Sequence, residues 1–304
     1  MHVSVRKGVL KLKKIGWIGL GNMGMPMCQN LIKAGYPAVV NDMIKEKVQS
    51  VLDMGAEWAD TPREVAEKAD YIFTMLPNGK ILRSVTDGEN GISAGITPDK
   101  IMIDMSTISA AESAAVAELI EEKGSRLLRC PVTGSTGPAA KGLLGLLISG
   151  DPEIYDEVEP LLNCLGKNKY WLGEKEEARV MKIALNTMVG NTAQLLAEAV
   201  SLAEKAGIAV DKCMDVIGGS AVGSLIVQSK VDLIKNNAYE PAFSVRMMQK
   251  DFDLAMDTAK QYEASLPVTA LVRQFYEEAT ACGKAGEDYA VLVQRQEKNV
   301  GIDR

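Results

Sequence analysis

Three glycines near the start of the chain are spaced to receive a phosphate group. Gly19-x-Gly21-x-x-Gly24 lies within GWIGLGNMGMPM, residues 16–27. Their tasks differ. Gly19 permits a tight turn, Gly21 lets a pyrophosphate approach the backbone, and Gly24 lets a helix pack closely on a strand. Leu20, Asn22 and Met23 complete the turn, and free N–H groups at the start of the next helix face the phosphates. Glycine is common, so the pattern gains weight only from its surroundings. KIGWIG reads as a strand before it, Asn22 to Ala34 as a helix after it, and AVVND as a second strand ending on Asp42. Asp42 stands 18 residues beyond Gly24, close to the spacing of the acid that binds an adenosine ribose. A carboxylate there accepts from both ribose hydroxyls of NAD and repels the 2′-phosphate of NADP. Met43 follows it, not an arginine. NAD is the expected cofactor.

Hydride chemistry also needs a proton donor or acceptor. The one histidine of the chain is His2, so that task falls to Lys, Asp, Glu or Tyr. Lys182 and Asn186 are four apart in a helical stretch and share a face. On spacing alone, a solvent-facing lysine is the plainer reading. Thr133, Gly134 and Ser135 follow a strand candidate, and hydroxyls with a glycine N–H suit a carboxylate; an ordinary turn would look the same. Phe243, Arg246 and Lys250 fall at i, i+3 and i+7, one face of a later helix.

The elements that must position these residues alternate through the first half. TPREVAEKAD opens a helix with Thr61 as N-cap, Pro62 in the first turn and Glu64 closing a capping box. YIFTML and IMIDMS are strands, AAESAAVAELIEEKG a helix, and RLLRCPV and GLLGLLISG further strands. Asp151-Pro152 caps a helix to about Leu165, and KYWLG is a closing strand. Strands alternating with helices predict βαβ units and a parallel sheet. From Glu174 to about Ala206 one long helical stretch runs without proline, with Gly190 its internal glycine. Helical patterns then fill 211–218, 224–236, 243–264, 267–282 and 287–298, and no strand returns. The fold class is α/β: a Rossmann-type parallel-sheet domain over 1–173, a connecting helix over 174–206, and an all-helical domain over 207–304 for substrate and subunit contacts.

Composition narrows the field. The 304 residues carry 34 Lys plus Arg against 40 Asp plus Glu, a net charge of −6. Neither nucleic acid nor an anionic membrane suits such a surface, and no apolar run reaches the roughly 18 residues of a membrane helix. Five scattered cysteines, 28, 130, 164, 213 and 282, argue for reduced thiols in the cytoplasm and against zinc or disulfides. The basic N-terminus, MHVSVRKGVLKLKK, reads as a flexible leader rather than a transit peptide.

With GLGNMGMPM in view, the chain resembles the 3-hydroxyisobutyrate dehydrogenase family of β-hydroxyacid dehydrogenases. The resemblance runs from about Ile15 to Gln294 through ordered motifs: TMLP at 74–77, DMSTI at 104–108, CPVTGSTG at 130–137, KIALN at 182–186 and FSVRMMQKDFDLA at 243–255. It implies an NAD-linked enzyme interconverting a small β-hydroxyacid and its semialdehyde. By resemblance, Leu76 and Pro77 lie over the cofactor, and Thr107 contacts its nicotinamide end. Lys182 is the acid/base, Asn186 orients it and holds substrate, and Thr133 to Ser135 bind the substrate carboxylate. Lys250 contacts the cofactor, Phe243 walls the pocket, and Asp251 supports the site. No metal is implied, and a homodimer or homotetramer is expected.

The departures concern the substrate. Thr133-Gly134-Ser135 replaces the usual Ser-Gly-Gly, Arg129-Cys130 replaces Asp-Ala, and Glu176 and Ala178 stand where glycines are usual. Arg246 has no family role; turned inward, it would favour a second acidic group on the substrate. Leu185 occupies the place of a histidine in 6-phosphogluconate dehydrogenases, and imine reductases lack the lysine. A catalytically silent dinucleotide sensor of this fold and an NADP-linked semialdehyde reductase are the competing readings.

Overall fold

A computed structural model describes residues 13–304. Residues 1–12 of the leader, with His2, lie outside the described residues. The chain forms two compact units, one ending at Arg179 and the other beginning at Val180.

The first unit is built on a nine-stranded sheet. Its strands are β1 (Ile15–Ile18), β2 (Ala38–Asn41), β3 (Glu57–Trp58), β4 (Tyr71–Thr74), β5 (Ile101–Asp104), β6 (Arg126–Arg129), β7 (Val132–Thr133), β8 (Gly145–Ser149) and β9 (Asn168–Gly173). Their order is β3-β2-β1-β4-β5-β6-β8-β7, with β9 paired to β8. Pairing is parallel from β3 through β6 and between β8 and β9. β8 pairs antiparallel with β6 and β7, so β8 and its parallel partner β9 run opposite to the other strands. The expected all-parallel sheet fails there because the link from β7 to β8 holds only the five-residue helix Thr136–Ala140, too little for a packed crossover.

Four-residue strands survive here because both faces are buried. Ile15, Trp17, Val40, Tyr71, Phe73, Ile101 and Ile103 point to one core, and Ile18, Val39, Ile72 and Met102 to another. That is why the strands read as unbroken apolar runs. Trp17 stacks on Phe73 at 5.2 Å between ring centres.

The longer helices of this unit are α1 (Gly24–Lys33), α2 (Pro62–Lys68), α3 (Gly79–Thr86), α4 (Ala110–Glu121) and α5 (Pro152–Leu162). Thr61 caps α2 as expected, its Oγ1 accepting from Glu64 N at 3.1 Å. The box is only half made, since the Glu64 carboxylate accepts from Asp60 N instead. A complete box forms on α4, between Ser109 and Glu112.

α6 (Glu177–Lys205) begins in the first unit and continues into the second. α7 (Val210–Gly219), α8 (Leu225–Gln228), α9 (Val231–Lys235), α10 (Val245–Gln261), α11 (Pro267–Ala281) and α12 (Leu292–Asn299) follow. The single helix expected over 224–236 is broken at Lys230, which turns inward to pair with Asp288 at 2.9 Å and lies over the Tyr289 ring. The stretch from 287 opens as a 3-10 turn, Tyr289–Val291, capped by Asp288. Among the described residues, no helix is long and apolar enough to cross a membrane, and no cluster of His, Cys, Asp or Glu could hold a metal ion.

Gly190 has a packing reason. A methyl there would collide with the Phe252 ring and stand 2.8 Å from Met248 Sδ, both on α10. Tyr276 Oη donates to the Gly190 carbonyl at 3.0 Å, and its ring meets Phe252 edge-on at 5.3 Å. Ala for Gly normally strengthens a helix by about 1 kcal/mol, while overpacking costs about 1–3 kcal/mol. Gly190→Ala is therefore expected to lower stability in urea denaturation; a stabilised variant would contradict this packing.

Candidate active site

The glycine turn joins β1 to α1 at the point where strand order reverses between β2 and β4, the switch point of doubly wound sheets. Gly19 sits at φ +92°, a conformation that favours glycine. A methyl at Gly24 would run into the Gly19 carbonyl and reach 3.0 Å from Trp17 Nε1. Both glycines are thus required by the fold itself. Gly21 is not: an added methyl would meet nothing within 4 Å. Space is kept open where a pyrophosphate would approach. No side chain caps the start of α1, and its first turn holds no acid, so its N–H groups suit an anion. Asn22 is exposed at the rim and Met23 half-buried. These residues fit a dinucleotide.

Asp42 is drawn onto this turn. Its Oδ2 accepts from Leu20 N at 2.6 Å and its Oδ1 from Ile44 N at 2.9 Å. The adjacent Met43 is 95% exposed.

Pairing register sets Ile18, Thr74, Asp104 and Arg129 side by side at one end of the sheet, with Ser149 opposite Arg129. From this row the tips of β4 and β5 extend into the candidate cofactor loops. Ser106 Oγ accepts from Leu76 N at 2.9 Å, tying half-buried Leu76 and exposed Pro77 to the segment that carries Thr107. Thr133 ends β7. Gly134 adopts φ +127°, and exposed Ser135 starts a short helix without its hydroxyl capping it. Burial pushes the Cys130 thiol up to about 12, which disfavours the reactive thiolate.

In the second unit, the predicted face of α6 is realised. Lys182 Nζ donates to Asn186 Oδ1 at 3.0 Å. Asn186 Nδ2 donates to the buried Asp251 Oδ2, and Lys250 Nζ lies 3.0 Å from Asp251 Oδ1. Asp251 thereby fixes which way the Asn186 amide faces. Burial pushes Lys182 below its ordinary value; the Asp251 charge opposes this and the Lys250 charge adds to it. Such an amine can give or take a proton nearer neutrality than a free lysine. Phe243 is half-buried, edge-on to Tyr289 at 6.3 Å. Arg246, in the first turn of α10, is exposed.

Sequence reasoning overlooked the ion pairs beneath the strand ends. Arg129 and Glu176, each noted as a departure, are one pair at 2.7 Å. Asp104 pairs with Arg179. An Asp ending an apolar strand was the available sign, because a buried carboxylate requires a partner.

Residues 14–173 match the family described as the NAD-binding domain of 6-phosphogluconate dehydrogenase. Residues 177–295 match that of the NAD-binding region of NADP-dependent 3-hydroxyisobutyrate dehydrogenase. The chain is 32% identical over 280 residues to glyoxylate/succinic semialdehyde reductase 2 of Arabidopsis thaliana, covering 92% of this chain and 78% of that one. It is 31% identical over 290 residues to 2-(hydroxymethyl)glutarate dehydrogenase of Eubacterium barkeri, covering 95% and 96%. A solved 3-hydroxyisobutyrate dehydrogenase of Mycobacterium tuberculosis, with L-serine, aligns with a TM-score of 0.84 at 28% identity, covering 93% and 99%.

The contrast between Gly21 and Gly24 can be measured. Gly21→Val is expected to melt near the wild-type temperature yet bind NADH at least about tenfold more weakly, a loss of about 1.4 kcal/mol. Gly24→Val is expected to lose stability outright. Fluorescence titration and thermal melting check both; undiminished binding by Gly21→Val would contradict the open cradle.

Proposed function

The chain belongs to the 3-hydroxyisobutyrate dehydrogenase family of NAD(P)-dependent hydroxyacid dehydrogenases acting on CH–OH groups, and we propose that it interconverts a small β-hydroxyacid and its semialdehyde with NAD(H), Lys182 serving as general acid and base. The observation that carries this reading is the chain of hydrogen bonds from Lys182 through Asn186 to the buried Asp251. A lysine kept merely for solubility needs no such support.

The bound nicotinamide supplies the chemistry of hydride gain and loss. The protein's own residues manage the proton. In carbonyl reduction, charged Lys182 Nζ gives a proton to the nascent alkoxide. In alcohol oxidation, neutral Lys182 takes the hydroxyl proton. Asn186 holds the amine in place and, with its remaining capacity, the substrate. Thr133, the Gly134 N–H and Ser135 receive the carboxylate. Relatives named for succinic semialdehyde and 2-(hydroxymethyl)glutarate share a carboxylate on the carbon skeleton of the reacting group, which supports that substrate class. Arg246, exposed beside Phe243 in sequence, stays outside this scheme.

NAD over NADP rests on Asp42. Its carboxylate stands at the end of β2 with nothing cationic after it until Lys45, and that lysine lies over the Trp58 ring at 5.0 Å. NADH is expected to bind at least about tenfold more tightly than NADPH; the reverse order in a titration would overturn the assignment.

Lys182→Ala is expected to lower kcat by about 100- to 10,000-fold, with NADH affinity unchanged. A variant that keeps the wild-type rate on a turned-over semialdehyde would end the lysine mechanism. The pH profile has a fixed sign. Reduction requires Lys182 charged, so its kcat/KM falls as pH rises through a pKa below that of free lysine. Oxidation requires it neutral and gains over the same window. Asp251→Asn removes the charge that favours protonated Lys182 and is expected to move the fall in reduction rate to lower pH. A shift to higher pH would contradict the electrostatics.

Self-association, as homodimer or homotetramer, is supported by α6. Met188, Leu195 and Leu202 recur every seven residues on one stripe and are 66%, 64% and 74% exposed. Such a seam suits a second copy of itself. Leu195→Glu with Leu202→Glu is expected to reduce the mass in light scattering; an unchanged oligomer would exclude this stripe.

A further inference from the structure

Arg179 takes no part in the scheme above, yet it is 1% exposed, and its side chain hydrogen-bonds to three residues of the first unit. Its Nη2 pairs with Asp104 Oδ2. Nη1 donates to the Ser106 carbonyl at 2.6 Å, and Nε donates to Ser113 Oγ on α4 at 3.2 Å. Asp104 Oδ1 accepts from Thr74 Oγ1 at 2.6 Å and from Ser106 Oγ at 2.7 Å. Ser106 Oγ then accepts from Leu76 N. One guanidinium is thereby linked to the tip of β4, the tip of β5 and the start of α4.

Stability alone does not explain such a group. Removing two charges from water costs about what their attraction returns, and apolar residues of equal volume often serve a core as well or better. What the pair adds is direction. A guanidinium presents five N–H donors in a rigid fork, and here the fork is spent on a loop carbonyl, a strand-end carboxylate and a helix hydroxyl. The loops it fixes, Leu76–Pro77 and Ser106–Thr107, are those assigned to the cofactor. The β4 tip also borders the phosphate turn, since a methyl on Gly19 would reach 2.8 Å from Leu76 Cδ2.

We propose that Arg179 is a positioning residue for dinucleotide binding: through Asp104 and Ser106 it holds the Leu76–Pro77 and Ser106–Thr107 loops in the conformation that receives the nicotinamide half. The proposal rests on the NAD(P)-binding reading of the first unit. It also places a positioning role one helical turn before Lys182, at the first turn of α6, directly after the departures at Glu176 and Ala178.

Two variants separate positioning from bulk stability. Asp104→Leu with Arg179→Met replaces the pair by apolar groups and is designed to keep the fold. Ser106→Ala removes only the link to Leu76 N and the hydroxyl's bond to Asp104, leaving the charges paired. Folding is followed by circular dichroism and melting, NADH and NADPH affinity by fluorescence titration, and turnover by the split between kcat and the KM for cofactor. The double variant is expected to fold and to bind the preferred cofactor at least about tenfold more weakly, and Ser106→Ala about three- to tenfold, with the KM for cofactor rising more than kcat falls. A folded double variant with the wild-type Kd would overturn the proposal. If the double variant does not fold, Ser106→Ala decides: wild-type Kd and KM there would overturn it equally. Failure of the cofactor reading itself would show differently, as a wild-type protein with no affinity for either dinucleotide, and it would remove this proposal with it.

Discussion

The polar groups at the strand ends of β4 and β5 gather on one buried ion pair, Arg179 with Asp104. Neither partner has more than a trace of exposed surface. Leaving either charge alone in that core would cost about 3–5 kcal/mol, a large share of the 5–15 kcal/mol that holds a typical domain together. The chain therefore keeps both, and the satellites that complete their hydrogen bonding, Thr74, Ser106 and Ser113, inherit fixed positions. Next to it, Arg129 with Glu176, and Ser149 Oγ donating to the Lys175 carbonyl at 2.7 Å, fasten the approach to α6 along the same row of strand ends. The segment that leads into α6 is thus held by charge and hydrogen bonds.

The second unit solves a different problem with the same materials. Lys182 is pushed toward neutrality by burial and by Lys250, and held toward charge by Asp251. Neither influence alone would serve the double role, acid and base, proposed for Lys182. A lysine only buried would stay neutral and make a poor acid. One only paired with a carboxylate would stay charged and make a poor base. Asn186, placed between, carries the orientation of Asp251 to the amine without carrying its charge.

Much of this was legible beforehand because it follows local rules. Strands buried on both faces read as KIGWIG and YIFTML, and the turn declared itself by three glycines and Asp42. The helical face of Lys182 and Asn186 followed from a spacing of four. What stayed hidden was set by distance along the chain. Asp104 and Arg179 are 75 residues apart, and Arg129 and Glu176 are 47 apart. No periodicity links them; strand register sets Asp104 level with Arg129, and the chain leaving β9 brings Glu176 and Arg179 to them. The reversal of β8 and the break at Lys230 were equally invisible, since each depends on what lies opposite. The half-made box at Thr61 shows the limit even of a local signature, because Asp60 N competes for the same carboxylate.

Asp42 carries a consequence of another kind. Its two oxygens are already fastened, to Leu20 N and Ile44 N, so the rotamer that the proposed ribose contact uses is chosen while the protein folds. An arriving nucleotide does not have to freeze that side chain, and the ordering cost of binding is smaller by that amount. The same economy makes affinity a hostage of local order. Any loosening confined to the end of β2 would release the carboxylate while the rest of the sheet held. On the proposed role of Asp42, affinity for cofactor would then fall before the fold itself is lost.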